Sequence, residues 1–285
     1  MTRADIREQP IAWPSCTLGG WSAAWIAGHC SPDEVISALT STAGTHVVDD
    51  HTGTLATGAS GVLDLLAMLR EVDALVVRLP DAGDPAGLPP DPATTAAFAA
   101  GEVLLVRDEA TRSSAAGPLA LIPSVTGARL SGPLHIDDAV CRWAIHRYER
   151  PLDLGALTSG GPSAGDLEHE LRQAVRDATD LFSNLGGGAR AERIGDLRAQ
   201  LMALTARHHV PLPPYADARA TRIVETAARV EAIVDLAVAQ RVPSGDSAGH
   251  LDQVDSGLRR LLTLTRTARA AAVNATIAEL MRPPS

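Results

Sequence analysis

The sequence predicts an α/β (α+β) protein: a mixed β-sheet domain with a few helices over residues 1–155, followed by an α-helical bundle of about four helices over residues 164–285. Three observations predict it. Short β-branched, apolar runs recur before residue 151. Gly, Ser and Pro crowd residues 155–165, and beyond them apolar residues return every three or four positions.

Ser31, Pro32 and Glu34 spell a helix start, with Ser at the N-cap, Pro at the first helical position and Glu three residues after the cap. The helix runs through Val35, Ile36 and Leu39 and stops by Gly44. Residues 45–49 read as a short strand and 52–61 as a loop. In 62–71, Leu63, Leu65, Leu66 and Leu69 are spaced for a helix that buries one face. Residues 73–80 form the clearest strand, apolar enough to be covered on both faces. Four prolines and two glycines make 81–92 a rigid surface loop, and 93–100 fits two turns of helix. Further strands are expected at 102–107, 118–125 and 139–148. The last alternates Ala, Cys, Trp and Ile with Arg and His, which favours a strand over a helix entered through Asp137 and Asp138.

In the second half, Leu167, Leu171, Val175, Ala178, Phe182 and Leu185 form one helical stripe, ended by the glycines at 186–188. Ile194, Leu197, Leu201 and Leu204 form a second, ending near Val210. A third runs from Ile223 to Ala237 and closes at the Pro-Ser-Gly of 243–245. Leu251, Val254, Leu258, Leu261, Leu264, Ala268, Ala272 and Ile277 form the longest. Short connections between such helices favour an up-and-down bundle.

Composition narrows the function classes. The net charge of −9 is uneven: residues 1–163 hold 19 acidic residues against 10 Arg, and residues 164–285 hold 15 against 15. The acidic half repels phosphate backbones, so nucleic acid is not the expected partner. Arg259, Arg260, Arg266 and Arg269 read as the solvated face of a helix. All 25 basic residues are Arg, which removes Schiff-base chemistry, the P-loop and the kinase strand lysine together. Three cysteines without CxxC spacing suit a reducing cytosol. With no apolar signal core and no apolar run of membrane-spanning length, a cytoplasmic protein without a membrane partner is expected.

The run Leu79-Pro80-Asp81-Ala82-Gly83-Asp84-Pro85-Ala86-Gly87-Leu88-Pro89, with Ala96-Ala97-Phe98-Ala99-Ala100-Gly101-Glu102-Val103 after it, resembles the central block of a conserved family of uncharacterised actinobacterial proteins. The resemblance is firmest over residues 73–125 and looser over the helical half. It implies no catalytic residue.

Candidate chemistry sits in a few places. Arg78, Gly83, Asp84, Gly87 and Arg107 are the candidate ligand-binding set, because glycines permit close backbone approach and Asp84 can accept hydrogen bonds. The plainer reading of this loop is a fixed turn. His46, Asp50 and His51 are metal-ligand types, but a strand offers only two ligands per face, so a metal would need His29 or His135 as well. Gly53, Gly58 and Gly61 precede a helix start whose amides suit an anion, although Ser60 as N-cap explains the stretch. Cys30 beside His29, and Cys141 near His146, suit a buried inert thiol better than a nucleophile. His208 and His209 are expected to favour their own helix C-terminus, and Glu168 to pair with Arg172. No cofactor is expected. The function expected is a non-catalytic interaction or regulatory protein, a homodimer or bound to a protein partner through Ala-lined helix faces. The alternative is a small-molecule binder or enzyme with its site between the two halves near the 83–89 loop.

Overall fold

The computed structural model describes residues 13–56, 60–113, 116–126, 139–159, 161–185, 191–239 and 248–282. The helix breaks expected at 186–188 and 243–245, and His135, lie outside the described residues. In chain order the elements are α1 (Pro14–Ile26), α2 (Pro32–Leu39), β1 (Thr45–Asp50), α3 (Val62–Leu69), β2 (Ala74–Arg78), α4 (Pro92–Ala100), β3 (Val103–Arg107), α5 (Glu109–Ser113), β4 (Leu119–Thr126), β5 (Val140–Arg147), α6 (Leu154–Ser159), α7 (Ala164–Leu185), α8 (Ala191–His208), α9 (Ala218–Ala239) and α10 (Ala248–Leu280). The 139–148 segment is a strand, as its alternation predicts. The chain divides into two compact units. One holds the chain up to Gly161 with Val210–Asp217 and the segment from Val273; the other holds Pro162–His209 and Ala218–Ala272.

The first unit is built on a mixed five-stranded sheet of order β1-β5-β4-β3-β2. β1 and β5 are parallel and every other pair is antiparallel, so β1, β3 and β5 run one way and β2 and β4 the other. Successive strand residues face opposite sides. Val76 and Leu105 therefore join Leu88, Ala93, Ala97, Ala120, Ile122, Tyr148 and Leu154 in one apolar cluster, and Val77 and Leu104 lie against α1. The double coverage expected of 73–80 is thus present.

α1 has no amphipathic stripe because it is buried nearly all round. A Cβ on Gly19 would lie 3.1 Å from Val77 Cγ2 and Ile277 Cδ1 and 3.2 Å from Leu104 Cδ1, so glycine sets how closely the helix approaches the sheet. Its N-terminus carries no acid of its own. Ser15 N donates instead to the buried Glu102 Oε2 at 2.8 Å, which places a carboxylate at the positive end of the helix. Both edges of the sheet are covered. On β1, Val48 N donates to Ser60 O at 2.8 Å. On β2, the Asn274 amide closes both backbone groups of Val77: Oδ1 accepts from the N–H at 2.8 Å and Nδ2 donates to the carbonyl at 2.9 Å.

Two details differ from the periodicity. Leu63 is 66% exposed, so α3 buries Leu65, Leu66 and Leu69 only. Part of the expected 155–165 linker is α6, whose Leu154 plugs the core cluster.

The second unit is helical, and α9 is its central element. Ala174 and Ala178 of α7, Val230 and Val234 of α9, and Leu258 and Leu261 of α10 share one apolar cluster. Arg269, expected on a solvated face, is fully buried: Nη1 and Nη2 donate to Glu231 Oε1 and Oε2 at 2.8 and 2.7 Å. Glu168 pairs with Arg219 and Arg222 of α9, at 3.5 and 3.7 Å, and Arg172 donates to the Glu168 carbonyl instead of its carboxylate. Among the described residues no helix is long and apolar enough to cross a membrane.

Candidate functional site

β2 ends at Arg78, and the chain enters a loop made of two tight turns. Asp81 and Asp84 exchange backbone hydrogen bonds of 2.9 and 2.8 Å, with Gly83 at φ 90°. Leu88 N then donates to Pro85 O at 2.9 Å across Ala86 (φ 51°) and Gly87 (φ 78°), a turn that needs two left-handed residues. Asp84 Oδ1 accepts from Ala86 N at 2.8 Å. Arg78 fastens the loop, because its Nε donates to Ala86 O at 2.5 Å and its Nη1 to Leu157 O of α6 at 3.0 Å. Burial lowers the Arg78 pKa, and the charge of Asp84 opposes that shift.

The candidate ligand set is therefore split. Arg78, Gly83, Asp84 and Gly87 come together, but their polar groups close the loop on itself. Arg107 stands apart: the antiparallel register pairs it with Ala74 and pairs Arg78 with Val103. Four strand residues separate the two, roughly 13 Å. Arg107 Nε donates to Asp73 Oδ1 at 2.7 Å.

The metal-ligand types along β1 are also separated. His46 Nε2 lies 3.1 Å from both Leu39 O and Ala43 O, and its Nδ1 accepts from Trp143 Nε1 at 3.1 Å. That pattern fixes a neutral imidazole protonated at Nε2, and burial lowers its pKa against the two carbonyls. Asp50 accepts from Thr52 N, Thr52 Oγ1 and Leu55 N within its own turn. His51 stacks on His146 of β5 with ring centroids 4.8 Å apart, and its Nε2 is 3.8 Å from Asp49 Oδ2. His29, a suggested fourth ligand, stacks on Tyr215 at 5.1 Å. Among the described residues, no three His, Cys, Asp or Glu side chains are grouped so as to hold a metal ion.

β1, β3 and β5 all finish at one end of the sheet, where Arg147 clamps Asp108. Its Nη1 and Nη2 donate to Oδ1 and Oδ2 at 3.1 and 2.6 Å, and Thr111 Oγ1 adds a third donor at 2.6 Å. Burial alone raises the Asp108 pKa, but these donors outweigh it and hold the carboxyl at about 2. A cavity of about 280 Å³ lies beside it, lined by Thr54, Leu55, Asp64, Met68 and Glu71 among others. The α3 N-terminal amides, which in the sequence suit an anion, are already met from within: Asp64 Oδ2 accepts from Ser60 N and Gly61 N at 3.0 Å. Gly61, rather than Ser60, is the N-cap. The thiols are not activated. Burial pushes Cys141 well up, with the Glu102 charge adding to it, and Cys30 is raised by burial and by Glu34.

In the helical unit α8 stands out. Leu197, Leu201 and Leu204, the predicted stripe, are only half-buried. Ala199, Met202, Ala203 and Ala206, at helical spacing beside it, form a second apolar stripe that is exposed, Met202 by 68%. This stripe is hard to see in the sequence because alanine next to Arg198, Gln200 and Arg207 reads as propensity rather than as a face. His208, expected to favour its own helix end, instead turns both imidazole nitrogens toward α9: Nδ1 is 2.9 Å from Glu231 Oε2, and Nε2 is 2.9 Å from Asp235 Oδ2.

Residues 15–155 match the family model described as Rv1486c-like protein, N-terminal domain, and residues 165–270 match the corresponding C-terminal domain. The chain is 32% identical over 287 residues, covering 92% of itself and 96% of the relative, to a Mycobacterium tuberculosis (strain ATCC 25618 / H37Rv) protein named Uncharacterized protein Rv1486c. It is 28% identical over 297 residues, with the same coverage, to the Mycobacterium leprae (strain TN) protein named Uncharacterized protein ML1804. No solved structure matches it. These relatives agree with the actinobacterial resemblance read from residues 79–103, and the chain belongs to the Rv1486c-like family.

Proposed function

We propose that the chain is a non-catalytic, cytoplasmic interaction or regulatory protein that self-associates through α8. The observation that carries this reading is the exposed Ala199–Met202–Ala203–Ala206 stripe, flanked by leucines that the helical unit only half covers. Alanines let a partner helix approach closely, and methionine adapts to the surface it meets. The engagement of Arg78, Asp84, His46 and Asp108 within the fold also supports it, since each spends its polar groups on holding backbone or a neighbour.

Size-exclusion chromatography with light scattering tests the proposal. The full chain is expected to run as a dimer, and Met202→Asp as a monomer with an unchanged circular dichroism spectrum. A monomeric wild type at about 1 mM overturns the reading.

A further inference from the structure

The strongest unassigned arrangement in the molecule is the buried chain of alternating charges that runs from α10 through α9 to the end of α8. Glu231 is its hub. The Arg269 guanidinium meets both of its oxygens, and Thr265 Oγ1 donates to Oε1 at 2.8 Å. On the other side His208, the last residue of α8, reaches Glu231 with one ring nitrogen and Asp235, one helical turn further along α9, with the other. Carboxylates accept hydrogen bonds and do not donate them, so a proton on each His208 nitrogen suits the two carboxylates it meets: Nε2 donates to Asp235, and Nδ1 lies against Glu231 as an ion-pair contact without hydrogen-bond alignment. Removing one proton turns a ring lone pair toward a carboxylate beside a nearly buried ring, where such a mismatch is costly.

We propose that His208 is a proton-operated latch: its imidazolium pins the C-terminal end of α8 to α9 by bridging Glu231 and Asp235, and loss of the proton frees that end of α8. The charged groups around the ring, among the described residues, are Glu231 and Asp235 on α9, Arg269 of α10 behind Glu231, and the neighbouring Arg207, which itself feels Asp235. Burial works against the imidazolium, but the Asp235 hydrogen bond, the close contact with Glu231 and the charges of both carboxylates outweigh it, so the His208 pKa is raised. Glu231 is lowered despite its burial, chiefly by the charge of Arg269 and by the close contact with His208, so it remains a carboxylate throughout. A raised folded-state pKa sets the sign: the latch is fully closed below the ordinary histidine pKa and opens as pH rises through the folded value.

The test uses the full chain and two readouts. NMR titration of the histidine ring protons, assigned by the loss of one resonance in His208→Gln, gives the His208 pKa. Hydrogen exchange, corrected for intrinsic rates, gives the protection of residues 197–208 across the same pH range, with α7 as reference. His208 is expected to titrate above 6.5. Protection of α8 is expected to fall about tenfold for each unit of that excess while α7 holds. Asp235→Asn, at a partly exposed position, is expected to lower the His208 pKa and to move the loss of α8 protection down in pH with it. His208→Gln should leave α8 protection independent of pH; if it fails to fold, Asp235→Asn carries the test. A His208 that titrates at or below 6.5, or α8 protection that stays flat through the titration or does not follow it in Asp235→Asn, overturns the latch.

Discussion

The sheet unit and the helical unit solve the problem of a core differently, and seven of the chain's eight aromatic residues lie in the sheet unit. In the sheet unit Val103, Leu104, Leu105 and Val106 are fully buried in sequence, and polar side chains work at the margins: Asn274 on one edge, Arg147 at the strand ends and Arg78 on a loop. The helical unit intersperses its buried Leu, Ile and Val with alanines at its centre, among them Ala174, Ala178, Ala227, Ala228 and Ala268. Alanine contacts fit in many registers, and a charge pair fits in one. Glu231 and Arg269 are therefore expected to fix helix alignment where the sheet unit uses backbone ladders, at some cost in stability.

The largest way to break that comparison is Glu231→Ala. It removes the buried carboxylate that Arg269 and His208 share and is expected to cost about 3–5 kcal/mol in urea unfolding. The triple change Glu231→Leu, Arg269→Met, His208→Leu should recover most of that loss, at the expense of a single well-dispersed NMR spectrum. A loss under about 1 kcal/mol for Glu231→Ala would remove the contrast. In the sheet unit the equivalent damage needs a cavity, and Leu105→Ala should cost about 3 kcal/mol by the same measurement. Asn274→Ala, which leaves the Val77 N–H and C=O buried without their partner, should cost about 2 kcal/mol.

The units also separate on the pH axis. The Asp108 carboxyl is held at about 2 against an ordinary 3.8, so the sheet unit keeps that stabilisation above pH 4 and loses it as pH falls from 4 to 2. Allowing for solvent screening, the loss is about 1 kcal/mol, and Asp108→Asn should abolish its pH dependence. The smallest expected effect is a gain. Ala86 at φ 51° pays for a conformation that glycine adopts freely, so Ala86→Gly should stabilise the loop by under about 1 kcal/mol.

Strands were legible because each was short, apolar and punctuated: the Pro after Leu79, the Gly before Glu102 and the alternation around Trp143 all mark real boundaries. α1 was not, since a helix buried on every side shows no stripe; only Pro14 at its first position marked it. Arg269 was misread because an arginine at helical spacing looks solvated, although the alanines at 268 and 270–272 surrounding it were a clue to burial. Arg107 joined the wrong group because proximity to Arg78 depends on strand direction, and antiparallel pairing carried it to the opposite end. The loop around Asp84 was correctly read as turn chemistry in its plainer sense, with the fastening by Arg78 and Leu157 invisible to local sequence.

The Asn274 amide on β2 has a consequence for synthesis. Residue 274 leaves the ribosome about two hundred residues after Val77, so the nascent sheet waits with one border unsealed while all of that stretch is made. A product cut short before that position would keep the border open and offer it to any neighbouring chain with a free strand.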